Sequence, residues 1–279
     1  MGSGIHKEEV SLPGMERISG RFGRHDLVDI SEEGSKELAA QVWSGKGLFS
    51  VDSWPTASVR AYCKRVLEHG FQGVSIPGIV RRFTDSDRDF ARELYGEVMP
   101  DVFVALGFVI PFSAEYAKIR VPCVLQRKHV ARRTTPEQVA RLPFAPRTPA
   151  LAALSIIKDK VKGGPCPGVW GSCALEIYTG LPYTDSSSDL DISIAGSSLN
   201  HVVEVAKMVD ALEKRFSIKI DVEVRLKGGW GVNGRELLSS GDTILAKGIY
   251  EVRLFQREDV LQCIAAGGSL QGLRSEGRD

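Results

Sequence analysis

Two short stretches constrain the fold of this chain more than any others. Asp189-Leu190-Asp191-Ile192-Ser193-Ile194 and Ile218–Val224 (IKIDVEV) both alternate polar and apolar residues. That is the period of a strand with one buried face. Between them, Val202, Val205, Ala206, Val209, Leu212 and Phe216 of Leu199–Phe216 follow helical spacing. Strand, helix, strand brings the two alternating stretches side by side in one sheet. Leu190, Ile192 and Ile194 then face a core, while Asp189 and Asp191 share the other face. On the second strand Asp221 and Glu223 share the polar face. Like charges this close repel. A hard divalent cation removes the objection: Mg²⁺ takes oxygen ligands, keeps several waters and is often completed by substrate phosphates. The plainer alternatives are a solvated strand end for the D-x-D and an exposed edge charge for Glu223.

Just upstream, Trp170-Gly171-Ser172 turns into a short helical run, Cys173–Thr179, followed by the polar loop Gly180–Ser188. Glycine allows close backbone approach to a ligand, and a helix N-terminus suits a phosphate. Gly171 and Ser172 are therefore candidates to hold a phosphate chain. Asp189 and Asp191 are candidate metal ligands, and Asp221 or Glu223 completes the site or acts as general base. A phosphate cradle beside metal-binding carboxylates reads as nucleotidyl transfer.

Composition excludes several other classes. The 279 residues carry a net charge of only +1, so no global field favours nucleic acid. No stretch reaches the roughly 18 apolar residues needed to span a bilayer, and no continuous apolar N-terminal segment marks a secretory signal. Cys63, Cys123, Cys166, Cys173 and Cys263 are odd in number and contain no C-x-x-C, so neither a disulfide framework nor a zinc site is indicated. A reducing cytoplasm is the expected compartment.

Along the chain, residues 1–14 read as an appended leader, with Met15 as a candidate start. Ser31 is a plausible cap for a helix over Ser31–Val42, with Glu32 and Glu33 in its first turn. His25, beside Asp26, is either a ligand contact or a structural hydrogen-bonding group. Trp54–Gly70 reads as helix. In Val74–Phe83, Pro77 and Gly78 break regularity ahead of Arg81 and Arg82. Their planar forks suit phosphate; the alternative is pairing with Asp85 or Asp87. Val102–Leu125 reads as two strands around a turn, with Lys118 and Arg120 on one face as phosphate candidates. Arg127, Lys128, His129, Arg132 and Arg133 form a basic cluster, either solvated or suited to an acidic partner. Three prolines in Arg141–Pro149 mark a boundary, and Ala150–Lys162 is an amphipathic helix. The expected division is 15–145, then 146–266, then a flexible tail over 267–279. Lys247 stands at the end of the strand Thr243–Lys247, where it could neutralise a phosphate or a pyrophosphate leaving group.

G-S, then D-x-D on a strand, then an acidic residue on the next strand, resembles the DNA polymerase β nucleotidyltransferase superfamily. The wording WGSCALEIYTGLPYTDSSSDLDISI is more specific. It resembles the phosphoribosyl-dephospho-CoA transferases of malonate decarboxylase, the holo-acyl-carrier-protein synthases of that system. The resemblance runs from about residue 23 to 265, and it includes the twin arginines at 81–82, the phrase around Gly107–Arg120 and a lysine at 247. It departs in the insert at Asp85–Pro100 and at Val222, where a small residue is expected. The fold it implies is α+β: a C-terminal nucleotidyltransferase-like mixed sheet with helices, preceded by a smaller α+β N-terminal domain. The activity it implies is Mg²⁺-dependent transfer of phosphoribosyl-dephospho-CoA from 2′-(5″-triphosphoribosyl)-3′-dephospho-CoA. The acceptor is a serine of the apo acyl-carrier protein of malonate decarboxylase, and pyrophosphate leaves. Lys118 and Arg120 become candidate contacts to donor or carrier. Two other readings are a nucleotidyltransferase that adds a nucleoside monophosphate to a small molecule or protein, and a degenerate module that binds nucleotide or carrier.

Overall fold

The computed structural model describes residues 21–44, 56–96, 102–111, 119–161, 165–267 and 270. The expected leader, and positions 271–279 of the expected tail, lie outside the described residues. The chain is α+β, built on two sheets. The first contains β1 (Leu27–Ile30), β2 (Gly78–Val80), β3 (Phe103–Ile110), β4 (Ile119–Gln126) and β5 (Val130–Thr134) in the order β4-β3-β2-β1-β5. Every neighbouring pair in it is antiparallel.

Helices α1 (Glu32–Ser44) and α2 (Ala57–His69) pack on each other, and α1 also packs on β4. Ser31 does cap α1, accepting a hydrogen bond from the Gly34 amide at 3.2 Å. Both faces of β3 are buried, which explains its unbroken apolar run. Val104, Leu106, Phe108 and Ile110 enter the main core. Phe103 and Ala105 form a small second core with Phe90 and Ala91 of α3 (Asp85–Tyr95). That helix occupies most of the segment expected to be an insert. It is started by a capping box in which Thr84 and Asp87 bond each other's backbone amides.

The second sheet has the order β11-β10-β9-β8-β7-β6. Its strands are β6 (Gly168–Trp170), β7 (Leu190–Ala195), β8 (Ile220–Leu226), β9 (Trp230–Asn233), β10 (Thr243–Lys247) and β11 (Val252–Gln256). It is mixed: β7 and β8 run parallel and the other pairs are antiparallel. The parallel pair is the consequence of the crossover helix α7 (Leu199–Phe216), since parallel neighbours cannot be joined by a tight turn. The apolar stripe of α7, with Val202, Val205, Val209 and Leu212 buried, covers the apolar face of the sheet. Helices α5 (Pro149–Lys160), α8 (Gly234–Leu238) and α9 (Arg257–Ala265) complete that layer.

The opposite face of this sheet is polar and turned toward the first half of the chain. Helix α4 (Pro136–Arg141) packs against β6 and against α6 (Gly171–Thr179). The main hydrophobic cluster is continuous, running from Phe22 and Leu27 beside the first sheet to Phe255 and Ile264 beside the second. No helix among the described residues is long and apolar enough to cross a membrane.

Candidate active site

The polar face of the second sheet is built in rows. Trp170 of β6, Asp191 of β7 and Asp221 of β8 are direct neighbours across the ladder. One pleat further on, Ser193 pairs with Glu223, and Glu223 with Asn233. Paired residues point the same way from a sheet, so Asp191, Asp221 and Glu223 share one surface. Asp189 lies just before β7, two residues from Asp191. It is exposed, whereas Asp191 and Asp221 are half-buried.

Gly171 closes the row. Its φ is +68°, and a Cβ built on it would stand 2.2 Å from Oδ2 of Asp191. The backbone of the Gly-Ser turn therefore lies directly against the Asp191 carboxylate, and α6 starts at that point. The sequence can do this only with glycine, because the conformation and the space both refuse a side chain. Burial pushes the Asp191 carboxyl up to about 7, and the charges of Asp221 and Asp189 add to the effect. Lys219 and Arg120 pull the other way. Lys219 makes a 2.7 Å ion pair with Asp221. Arg120 comes from β4, so the first sheet contributes a cation to the acidic row.

Among the described residues, no group of three or more His, Cys, Asp or Glu side chains is placed to hold a metal ion by itself. The donor set nevertheless suits magnesium. It is all carboxylate oxygen, Asp191 and Asp221 are held by parallel strands, and the charges of Asp221 and Asp189 raise the proton affinity of Asp191.

Glu223 has a different environment from the other three carboxylates. Its side chain meets Arg24 Nη2 at 3.1 Å and His25 Nε2 at 3.6 Å. Burial alone would raise its pKa, but hydrogen bonds and charge from His25 and Arg24 outweigh this and hold it below the usual carboxylate value. His25 adopts a φ of +71° and stacks on the Trp170 ring at 4.1 Å. Arg24 also donates to the Lys247 carbonyl at 3.1 Å. The backbone of Lys247 is thus tied to this cluster, and its side chain is exposed.

The remaining candidates are dispersed. Arg81 donates Nη1 to Asp87 at 2.7 Å and Nη2 to the other oxygen of the same carboxylate. Its Nε bonds the Leu106 carbonyl at 3.1 Å and its Nη1 the Arg82 carbonyl at 3.2 Å. Four of its five N–H donors are therefore committed to the first sheet and the start of α3. Arg82 is exposed. Lys118 lies outside the described residues. In the basic cluster, Arg132 pairs with Asp29, Arg133 with the buried Asp26, and His129 with Glu37. Three of its five members are therefore paired within the fold.

Two features of the site had no clear signal in the sequence. Arg24 meets Glu223 only through tertiary packing. Glu176 of α6 accepts from Arg147 at 2.9 and 3.0 Å and from the amide and hydroxyl of Thr184 at 2.7 Å. This network clamps the loop that delivers Asp189.

Comparison with known proteins finds similarity to phosphoribosyl-dephospho-CoA transferases. Residues 137–258 match the sequence profile of the phosphoribosyl-dephospho-CoA transferase MdcG C-terminal domain. That span covers Gly171, all four carboxylates and Lys247. Over 249 residues the chain is 28% identical to a phosphoribosyl-dephospho-CoA transferase of Bradyrhizobium diazoefficiens, covering 86% of this chain and 92% of that one. It is also 28% identical over 149 residues to the enzyme of the same name from Xanthomonas axonopodis pv. citri, covering 53% of this chain and 70% of the relative. No solved structure matches the chain.

Proposed function

We propose that this chain is a phosphoribosyl-dephospho-CoA transferase, as its similarity to that family suggests, and that it loads an acyl-carrier protein with its prosthetic group. The donor is 2′-(5″-triphosphoribosyl)-3′-dephospho-CoA, and the acceptor is a serine of the apo acyl-carrier protein of malonate decarboxylase. The serine oxygen forms a bond to the α-phosphorus. The bond from that phosphorus to the bridging oxygen breaks, and pyrophosphate leaves with the electron pair. The proton of the serine hydroxyl passes to a carboxylate of the site. A reducing cytoplasm suits the five free cysteines.

The observation that carries the reading is the contact between the Gly171 turn and a row of carboxylates. Gly171 stands against Asp191, and Asp191 is in register with Asp221. Phosphoryl-type transfer needs little from a protein beyond positioning and charge neutralisation, and both are supported here. The backbone at Gly171 and Ser172, at the start of α6, would receive the triphosphate. Asp189 and Asp191 would hold magnesium, with Asp221 beside them. Bound magnesium would supply the charge that screens these carboxylates from the phosphates. Arg120 faces the same row and is suited to a phosphate oxygen. Lys247 is the candidate for the departing pyrophosphate. For proton acceptance, Asp221 is the better choice. Glu223 is stabilised as a carboxylate by Arg24 and His25, which makes it a weak base. We read the site as that of a DNA polymerase β-type nucleotidyltransferase, on the Gly-Ser turn and the carboxylates of neighbouring strands.

The test is the intact mass of the apo carrier after incubation with this protein, the donor and Mg²⁺, with an EDTA control. The expected result is a mass gain equal to donor minus pyrophosphate that is lost with EDTA. No gain with a competent donor and carrier overturns the reading and directs attention to ordinary nucleoside triphosphates.

A further inference from the structure

A cavity of about 170 Å³ is lined by Leu181 and Tyr183 of the loop that leads to Asp189, together with Phe71, Gln72, Ile110 and Pro111. We propose that it is the subsite for the adenine base of the donor, with Gln72 as the residue that reads the base. This rests on the function proposed above, because it takes a dephospho-CoA derivative as the donor.

Three observations carry the assignment. The first is size. Pockets that enclose a whole drug-sized ligand run to roughly 300–1,000 Å³, so this one takes a single ring system and leaves the rest of the donor outside. Its walls are apolar and aromatic, which suits a flat heterocycle.

The second is Gln72. Phe71 and Val74 bond each other's backbones, N to O at 2.8 and 2.9 Å, across the two-residue turn Gln72-Gly73. Both turn residues have positive φ, +50° and +80°. Glycine, asparagine or aspartate is the usual occupant of such a position. A glutamine held there is a local strain that the turn itself does not require. A glutamine amide sets an NH₂ donor group beside a carbonyl acceptor, a pair that can bond in two places to the N6 and N7 edge of adenine.

The third is connection to the reacting centre. The Tyr183 hydroxyl donates to the Val109 carbonyl at 2.9 Å, and Val109 is paired across the ladder with Arg120. Arg120 in turn acts on Asp191. Leu181 and Tyr183 belong to the loop that ends at Asp189. In the donor, two pentoses separate the adenine from the triphosphate. The cavity is thus tied to the carboxylate row through the loop that ends at Asp189 and through the strand that pairs with Arg120. The pantetheine arm, long and extended, has no such compact shape.

The experiment is calorimetric titration of the full chain with dephospho-CoA and with its deaminated analogue, which carries hypoxanthine. The same titrations are made on Gln72→Gly, a substitution that the positive φ favours and the fold tolerates. Loss of one good two-point base contact corresponds to about tenfold in affinity. We expect wild type to prefer dephospho-CoA to the analogue by about that factor, and Gln72→Gly to bind both equally and weakly. The KM for the donor should rise by a similar factor in Gln72→Gly, while the KM for the carrier stays constant. Equal preference in wild type and Gln72→Gly overturns the assignment, as does phosphopantetheine competing as well as dephospho-CoA. Binding needs neither carrier nor turnover. Intact base discrimination with no carrier loading therefore strikes the function alone, and carrier loading with an unchanged Gln72→Gly strikes the subsite alone.

Discussion

There is no room for a methyl group at Gly171. Gly171→Ala would force a side chain to within 2.2 Å of Asp191 Oδ2 and hold an L-residue at φ +68°. Either the turn or β7 must shift. The expected outcome is a lower Tm, with a cost on the order of 1 kcal/mol or more from the backbone alone, and near-complete loss of carrier loading. Both are read from thermal melts and initial rates. The carboxylates behave in the opposite sense. Asp191→Asn keeps the shape and removes a charge from beside Asp221 and Asp189, so in EDTA the Tm should hold or rise. Carrier loading should fall by roughly 10² or more, the usual effect of deleting a charge-stabilising group. Asp189→Asn should likewise leave the fold intact and abolish loading. Full activity in either folded variant removes the residue from the mechanism. These residues were legible in the sequence because they are local: a D-x-D, a Gly-Ser turn and an alternating strand fix who shares a face. Arg81 was less legible. The sequence left phosphate binding and pairing with Asp85 or Asp87 both open, and the fold gives its guanidinium to Asp87.

At the scale of elements, the same boundary separates what patterning reveals from what it hides. The pair β7–β8 with α7 between them has clean periods of 2 and 3.6, and it folds as those periods predict. Short or polar elements carry no such signal. The strand β5 reads Val-Ala-Arg-Arg-Thr, with its arginines turned to Asp26 and Asp29. Helix α3 is mostly charged, yet the spacing of Thr84 and Asp87 is a start signal that composition obscured.

The loop between α6 and β7 depends on a contact of this hidden kind. Burial tends to raise the pKa of Glu176, but hydrogen bonds from Arg147 and Thr184 prevail and hold it below 4.5. A carboxyl whose pKa is lowered by folding stabilises the fold above its unfolded value, and that stability is lost as pH falls through the folded value. Glu176→Gln should therefore lower the Tm at pH 7, by about 1–3 kcal/mol of stability. It should also flatten the decline of Tm with acidification below pH 4.5, the ordinary value for this group. Melts between pH 3 and 7 (roughly the linkage window) decide it: parallel curves for the two proteins would remove Glu176 from the acid limb.

Across the whole molecule, the two sheets are joined by a continuous core and by polar ties. Tyr183 reaches Val109, the Phe83 amide bonds the Ile249 carbonyl at 2.8 Å, and Arg24 with His25 grips Glu223. The last of these bears most directly on function, because Glu223 shares a face with the carboxylate row without sharing its environment. If Glu223 works as a latch, its partner matters as much as the carboxylate does. Arg24→Ala and Glu223→Gln should then lower stability and the loading rate to similar extents. Their double variant should cost less than the sum, with a coupling on the order of 0.5–3 kcal/mol. A group working as general base behaves differently, since Glu223→Gln would abolish loading while Arg24→Ala merely shifts its pH dependence. Melts and initial rates on the two single variants and the double variant separate the cases. Additive stability effects together with loss of loading confined to Glu223→Gln would return Glu223 to the chemistry. Coupled effects of equal size would make it the clasp that brings the first sheet, and Arg120 with it, against the carboxylates of the second.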